Sequence, residues 1–115
     1  MFSAYIMDIC KIAVFVPEEF SEKLMDSITE VIETPYDNYE RAFSISKVTG
    51  TWRPIGNARP FKGTVGKIEE SEELRIEFIV LKKDLAATVR TICKIHPYEE
   101  PAIDIIEMTD WHSVI

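Results

Sequence analysis

"KIAVFVPEEF", residues 11–20, passes from one kind of element to another and sets the frame for the whole chain. "KIAVFV" (11–16) is a short run rich in strand-forming residues. Apolar side chains on both of its faces predict a central, covered strand. Pro17 stops that strand and suits the first turn of a helix. Glu18 and Glu19 follow where a helix N-terminus favours negative charge. Phe20, Leu24, Ile28 and Val31 then recur at helical spacing, one apolar stripe on a helix over about 18–33 that closes at Thr34-Pro35.

The strand–helix–strand order comes again further on, without any repeat of sequence. "YERAFSISKV" (39–48) reads as a second strand. "ELRIEFIVL" (73–81) alternates, with Leu74, Ile76, Phe78 and Val80 facing one way and Arg75 and Glu77 the other. Asp84 is placed to cap a helix over 85–95 that carries Leu85, Val89, Ile92 and Cys93 on one face. "HPYEEPA" (96–102) breaks that helix, and "AIDIIEM" (102–108) is a last strand. The order β-α-β-(long loop)-β-α-β predicts an α+β, ferredoxin-like βαββαβ fold. Two helices cover one face of a four-stranded antiparallel sheet, with a long loop between strands 2 and 3. The other sheet face is left bare. Ile79 and Leu81 give it apolar character, so its burial by oligomerisation is expected.

A chain of 115 residues fits one domain with a single modest core. Residues 1–10 read as an N-terminal extension, 11–108 as the domain and 109–115 as a tail. The 29% charged and 46% hydrophobic residues are ordinary for a soluble globular chain and argue against disorder. No apolar run approaches the roughly 18 residues of a membrane span. "MFSAYIMDIC" lacks a basic n-region and is interrupted at Asp8, so it reads poorly as a signal peptide, and a cytoplasmic location is expected. Cys10 and Cys93 are too few and too far apart for a disulfide framework or a zinc site. They are expected to be two small buried hydrophobes. The net charge of −7 disfavours nucleic acid or anionic membrane as a partner.

Charge is unevenly spread. From Arg41 to Ile68 every charged residue is basic: Arg41, Lys47, Arg53, Arg59, Lys62 and Lys67. All 20 acidic residues lie outside that span. Such segregation creates a local positive potential on an otherwise negative molecule. Within it, "TGTWRPIGNARPFKGTVGK" (49–67) holds all four glycines and looks like neither helix nor strand. One reading is an anion site, with Arg53 and Arg59 as planar forks, Lys62 and Lys67 as point charges and glycine N–H groups approaching closely. The other is a loop docked on acidic surfaces of neighbouring subunits. "GTVGK" (63–67) is not a phosphate-binding P-loop, because position 61 is Phe, position 68 is Ile and a strand follows.

"HPYEEPA" gathers His96, Tyr98, Glu99 and Glu100 between two prolines. An enzyme would use such groups as acid and base, and a metal would take the histidine with a glutamate. Adjacent glutamates point apart in an extended segment, and the other histidine, His112, lies in the tail. A rigid connector is the plainer reading, with Pro97 ending the helix and Pro101 starting the strand. No Ser-His-Asp or Cys-His arrangement is readable.

"VFVPEEF", "TGTWRPIGNARPFKGTVGKIEE" and "HPYEEPAIDI", in this order, closely resemble the PII-like or CutA-like insert domain of YqfO-type proteins. These belong to the NIF-three-like family, also called dinuclear-metal or type 2 GTP cyclohydrolase I proteins. The similarity covers residues 11 to 108. It implies a ferredoxin-like domain that tends to form trimers, and in PII-type trimers the loop between strands 2 and 3 engages effectors and partners. Neither metal-binding half of the long family members is found in these residues, so no metal, cofactor or hydrolase activity is expected to carry over. The resulting expectation is a non-enzymatic, homotrimeric binding or regulatory module. Arg53, Arg59, Lys62 and Lys67 would meet an anionic small molecule or an acidic protein partner, with Trp52 and Phe61 packing around them. His96, Tyr98, Glu99 and Glu100 complete the set of candidate ligand contacts. The alternatives are an enzyme at an intersubunit cleft using His96 with Glu99 or Glu100, and a partner subunit of a separate NIF-three-like metal domain.

Overall fold

A computed structural model describes residues 7–115; residues 1–6, part of the expected N-terminal extension, lie outside the described residues. Strand β1 (Ile9–Val16) leads through a 3-10 turn (Glu18–Phe20) into helix α1 (Ser21–Val31). Strands β2 (Ser44–Trp52) and β3 (Glu69–Leu81) follow. A second 3-10 turn (Lys82–Asp84) opens helix α2 (Leu85–Ile95), and strand β4 (Ile103–Met108) precedes a last 3-10 turn (Trp111–Val114). The four strands form one antiparallel sheet in the order β2-β3-β1-β4. That is the ferredoxin-like arrangement expected from the sequence.

The register explains the sheet's two faces. Cys10, Ile12, Val14 and Val16 alternate along β1 and point the same way as Leu74, Ile76, Phe78 and Val80 on β3. Both sets meet Leu24, Met25 and Ile28 of α1 and Ile92 of α2 in one core. Fully burying an aliphatic side chain of this size is worth ~1.5–3 kcal/mol, so this cluster is the main support of the fold. Lys11, Phe15, Arg75, Glu77, Ile79 and Ile106 lie on the opposite, open face. Ion pairs Lys11–Glu77 and Arg75–Glu77 cross that face.

Several boundaries differ from the sequence expectation, each for a local reason. Pro17 ends β1 in an extended conformation (ψ 140°), and Phe20 N–H closes a three-residue turn on its carbonyl, so the α-helix proper starts only at Ser21. Val31 is 40% exposed, and Met25 and Ile32 take its place against the core. Residues 39–43 are not strand. Asn38 and Arg41 both have positive φ, and the Arg41 guanidinium binds Glu22 (2.8 Å) and Asp26 (3.0 Å) of α1, so the chain first crosses that helix. β2 then continues to Trp52, because Thr49–Trp52 pair with Glu69–Glu72. The first residues of the 49–67 stretch are therefore strand.

Asp84 does not cap its own helix by its side chain. Its Oδ2 accepts the Glu33 N–H at 2.9 Å and so ties the chain just beyond α1 to the start of α2. Cys10 is buried as expected, whereas Cys93 is exposed, because α2 buries Thr88 and Ile92 instead. No helix among the described residues is long and apolar enough to cross a membrane.

Candidate functional site: a cleft under the hairpin arm

β1 ends at Val16, opposite Leu74. Residues Glu69–Glu73 of β3 run on beyond it and pair with β2 alone, forming a two-stranded arm that overhangs the end of the sheet. The connector from α2 to β4 passes beneath this arm. It is fixed to β1 at two points: Phe15 N–H donates to the Ala102 carbonyl (3.3 Å), and His96 Nε2 lies 2.6 Å from the Phe15 carbonyl. Arm and connector enclose a cleft of about 500 Å³. Both sequence features singled out above meet in it.

The loop at the arm's tip is shaped rather than slack. Ala58 N–H bonds to the Ile55 carbonyl, Gly66 N–H to that of Pro54 and Lys67 N–H to that of Thr64. Gly63 and Gly66 adopt φ of 106° and 87°, a region that only glycine enters without strain. Pro54 is buried. Glu99 reaches up from the connector, and both of its carboxylate oxygens accept the Arg59 N–H, at 3.1 and 3.2 Å. Aromatic rings complete the closure. Tyr98 lies between Trp52 (centroids 5.6 Å apart) and Phe61 (5.9 Å), and Phe61 meets Phe20 edge-on.

The candidate residues divide into two groups. Trp52, Lys62, Tyr98, Glu99 and Glu100 line the cleft. Arg53, Arg59 and Lys67 stand exposed outside it. Among the described residues the guanidinium groups of Arg53 and Arg59 have no hydrogen-bond or ion-pair partner. Lys62 Nζ approaches the Glu70 carbonyl (3.4 Å) and Ser71 Oγ (3.3 Å) on the arm. Arg41, bound to α1, is removed from the basic block.

His96 is buried, and both of its ring nitrogens are engaged. Nε2–H donates to the Phe15 carbonyl, and Nδ1 accepts the Tyr98 N–H at 3.1 Å. Burial pushes the imidazole below its ordinary range, against smaller upward pulls from the Phe15 hydrogen bond and Glu73. His112 does not approach it. Its Nδ1 lies 2.6 Å from Asp110 Oδ1, and its ring contacts Tyr36 and Trp111. That hydrogen bond, with one from the Met7 N–H, holds the Asp110 carboxyl below the usual carboxylate range. No group of three or more His, Cys, Asp or Glu side chains among the described residues is arranged to hold a metal ion.

Among the cleft residues not singled out in the sequence are Glu73, Phe15 and Gly50. Glu73 is only 7% exposed, and its Oε2 has no hydrogen-bond partner. The Tyr98 hydroxyl, also buried, has none either. Burial, and after it the neighbouring Glu73, push the Tyr98 phenol up to about 12. The Glu73 carboxylate rests against Gly50, where a Cβ would collide with it. A glycine inside a strand marks such a close approach, and this was the available signal.

No protein-family model matches the chain. It is 36% identical over 98 residues to a GTP cyclohydrolase 1 type 2 homolog of Staphylococcus epidermidis, covering 85% of this chain and 27% of that protein. With the Bacillus subtilis homolog it shares 34% identity over 95 residues, 83% of this chain and 26% of the relative. The chain thus spans about a quarter of the length of these curated relatives. Among solved structures, a Bacillus cereus protein related to NIF3 superposes with a TM-score of 0.77 at 27% identity, covering 93% of this chain and 27% of that one. The periplasmic divalent cation tolerance protein CutA of Archaeoglobus fulgidus gives 0.63 at 16% identity, over 87% of this chain and 83% of its own, a likeness of fold alone. Over 98 residues the chain is thus similar in sequence to one part of a GTP cyclohydrolase 1 type 2 homolog, and its fold is that of part of the NIF3-related protein and, as a likeness of fold alone, of CutA.

Proposed function

We propose that this domain is a non-enzymatic, homo-oligomeric binding or regulatory module, trimeric as its resemblance implies, that works in the cytoplasm. The cleft under the β2–β3 arm is its ligand-bearing site. The observation that carries this reading is that the arm and the 96–102 connector, far apart in sequence, close on one another through Glu99, Tyr98, Trp52 and Phe61 around an open volume. The size of that volume suits a small molecule. Arg53, Arg59 and Lys67, exposed on the outer side, form a separate rim for an anionic molecule or an acidic protein partner. The open sheet face carries the exposed Ile106, with Ile79 on the far side of Lys11, and supplies apolar surface for a second copy.

Catalysis by His96 with Glu99 or Glu100 fits the geometry less well. Both imidazole nitrogens are bonded to the backbone, and Glu99 is occupied by the Arg59 N–H. A role beside a separate NIF-three-like metal domain draws on the greater length of the relatives, and co-purification with such a protein is its test.

Light scattering at micromolar concentration is expected to give a trimer; a monomer would remove the structural basis of the reading. A thermal-shift panel of nucleotides and carboxylates tests the rim. A ligand present at 100 times its Kd stabilises by about 2.7 kcal/mol. Replacing Arg53 and Arg59 by Gln is expected to remove that response and leave the melting temperature of the protein alone unchanged.

A further inference from the structure

The charge that the cleft desolvates most is negative. Glu73 is more than nine-tenths buried, with an unpartnered Oε2, and the unpartnered Tyr98 hydroxyl stands beside it. A buried carboxylate with no donor beside it but the Tyr98 hydroxyl is costly and calls for a compensating cation. Of the cations nearby, Lys47 borders Glu73 from a separate hollow and the other two are engaged elsewhere. Lys62 Nζ turns to Glu70 and Ser71, while Arg75 pairs with Glu77 and sits over the Phe15 ring. Glu99 and Glu100 add negative charge to the lining.

The rest of the wall is apolar and aromatic, with Phe15, Trp52, Pro54 and Phe61 prominent. Trp52 and Phe61 both lean on Tyr98, tilted by 48° and 42° at contact distance, which leaves no parallel slot between these rings for a flat base. Aromatic faces around a buried carboxylate are the surroundings that favour a weakly hydrated organic cation.

We propose that the cleft binds an organic ammonium ion, a protonated amine on an apolar or aromatic body. Its N–H groups donate to Glu73 Oε2 and the Tyr98 hydroxyl, and its carbon body lies against Trp52 and Phe61. The absence of a side chain at Gly50 leaves the carboxylate its place on the strand. A divalent metal is a poorer fit, since no cluster of three ligating side chains faces the cleft among the described residues. This inference rests on the cleft being the ligand-bearing site of the module.

The test is calorimetric titration of the full chain with 2-phenylethylammonium, 2-phenylethanol and phenylacetate, with Glu73→Gln as the comparison protein. The ammonium is expected to bind saturably and at least about tenfold more tightly than the alcohol or the acid, because only it offers a charge-assisted hydrogen bond. Glu73→Gln keeps the side-chain shape and is expected to lose that preference while melting cooperatively. No binding at millimolar ammonium, equal binding of the alcohol, or an unchanged preference in Glu73→Gln would each overturn the proposal. Dissociation of the oligomer by Glu73→Gln would overturn it too, assigning the cleft to a side chain of a second copy. Light scattering on the same samples keeps the two readings apart: a trimer that ignores the amine sinks only the ligand class, and a monomer sinks the module.

Discussion

His96 Nε2 lies 2.6 Å from the carbonyl oxygen of Phe15, 81 positions earlier in the chain. The bond fastens the end of α2 to the last residues of β1 just where the cleft begins. Nδ1, accepting from Tyr98 N–H, fixes the neutral tautomer. The one near-neutral titrating group of "HPYEEPA" is therefore spent on holding the connector in place.

His96→Ala is expected to cost about 1–3 kcal/mol, because it leaves a buried carbonyl without its donor. The pH dependence follows from the direction of the shift. His96 binds its proton less readily folded than unfolded, so its contribution is fully present above the unfolded pKa of about 6.5 and is lost as pH falls below it. Urea unfolding between pH 5 and 8 should show wild-type stability falling toward acid, with a shallower slope in His96→Ala.

Tyr98→Phe removes a buried hydroxyl that has no hydrogen-bond partner. Stability of the ligand-free protein is expected to change by less than about 0.5 kcal/mol or to rise, since a desolvated, unbonded group is deleted. Ultraviolet titration of the wild type should show one tyrosine ionising near 12, well above an ordinary phenol. Because that value is raised in the folded state, its contribution to stability persists up to about pH 10 and fades as pH rises through the folded pKa.

Ile106→Glu places a charge on the open sheet face, where Ile106 is 57% exposed opposite Lys11. The oligomer is expected to fall apart into folded monomers, with the far-ultraviolet circular dichroism unchanged and the mass by light scattering reduced to that of one chain. An intact assembly would place the interface elsewhere.

Cys93 is exposed and Cys10 is buried between β3 and β4. A thiol reagent should modify one of the two cysteines in the native protein within minutes and the second only after denaturant is added. Two fast thiols would contradict the burial of β1.

The sheet was readable because its deciding strands obey simple periods. Leu74, Ile76, Phe78 and Val80 alternate without exception, and the apolar run of β1 marks the central strand, which β3 and β4 flank on each side while one face enters the core. The arm was not readable. From the sequence, this strand starts at Glu73 and 69–72 belong to the long loop, yet all of 69–73 is strand, with each residue paired across to β2 and Glu73 turned inward. Pairing partners 17 to 25 positions away decide that, and no local pattern records it. Of the candidate site, Trp52 and Phe61 of one motif and Tyr98, Glu99 and Glu100 of the other line one cleft. Arg53 and Arg59 do not, because the turns set by Gly63 and Gly66 carry the tip outward.

β3 is thirteen residues long, but only Leu74–Glu77 has a neighbour on both sides: Phe78–Leu81 pairs with β1 alone and Glu69–Glu73 with β2 alone. Amide protons of that doubly flanked segment are expected to exchange with solvent only when the whole domain unfolds. Those of Glu69–Glu73 need no more than the arm to peel from the connector, a smaller and cheaper opening. Glu73 sits at the junction between the two regimes. Occupancy of the site is therefore expected to register first as slowed deuterium uptake in 49–52 and 69–73, with the sheet beneath unchanged. The domain can thus report a bound molecule through the cohesion of its arm while its fold stays fixed.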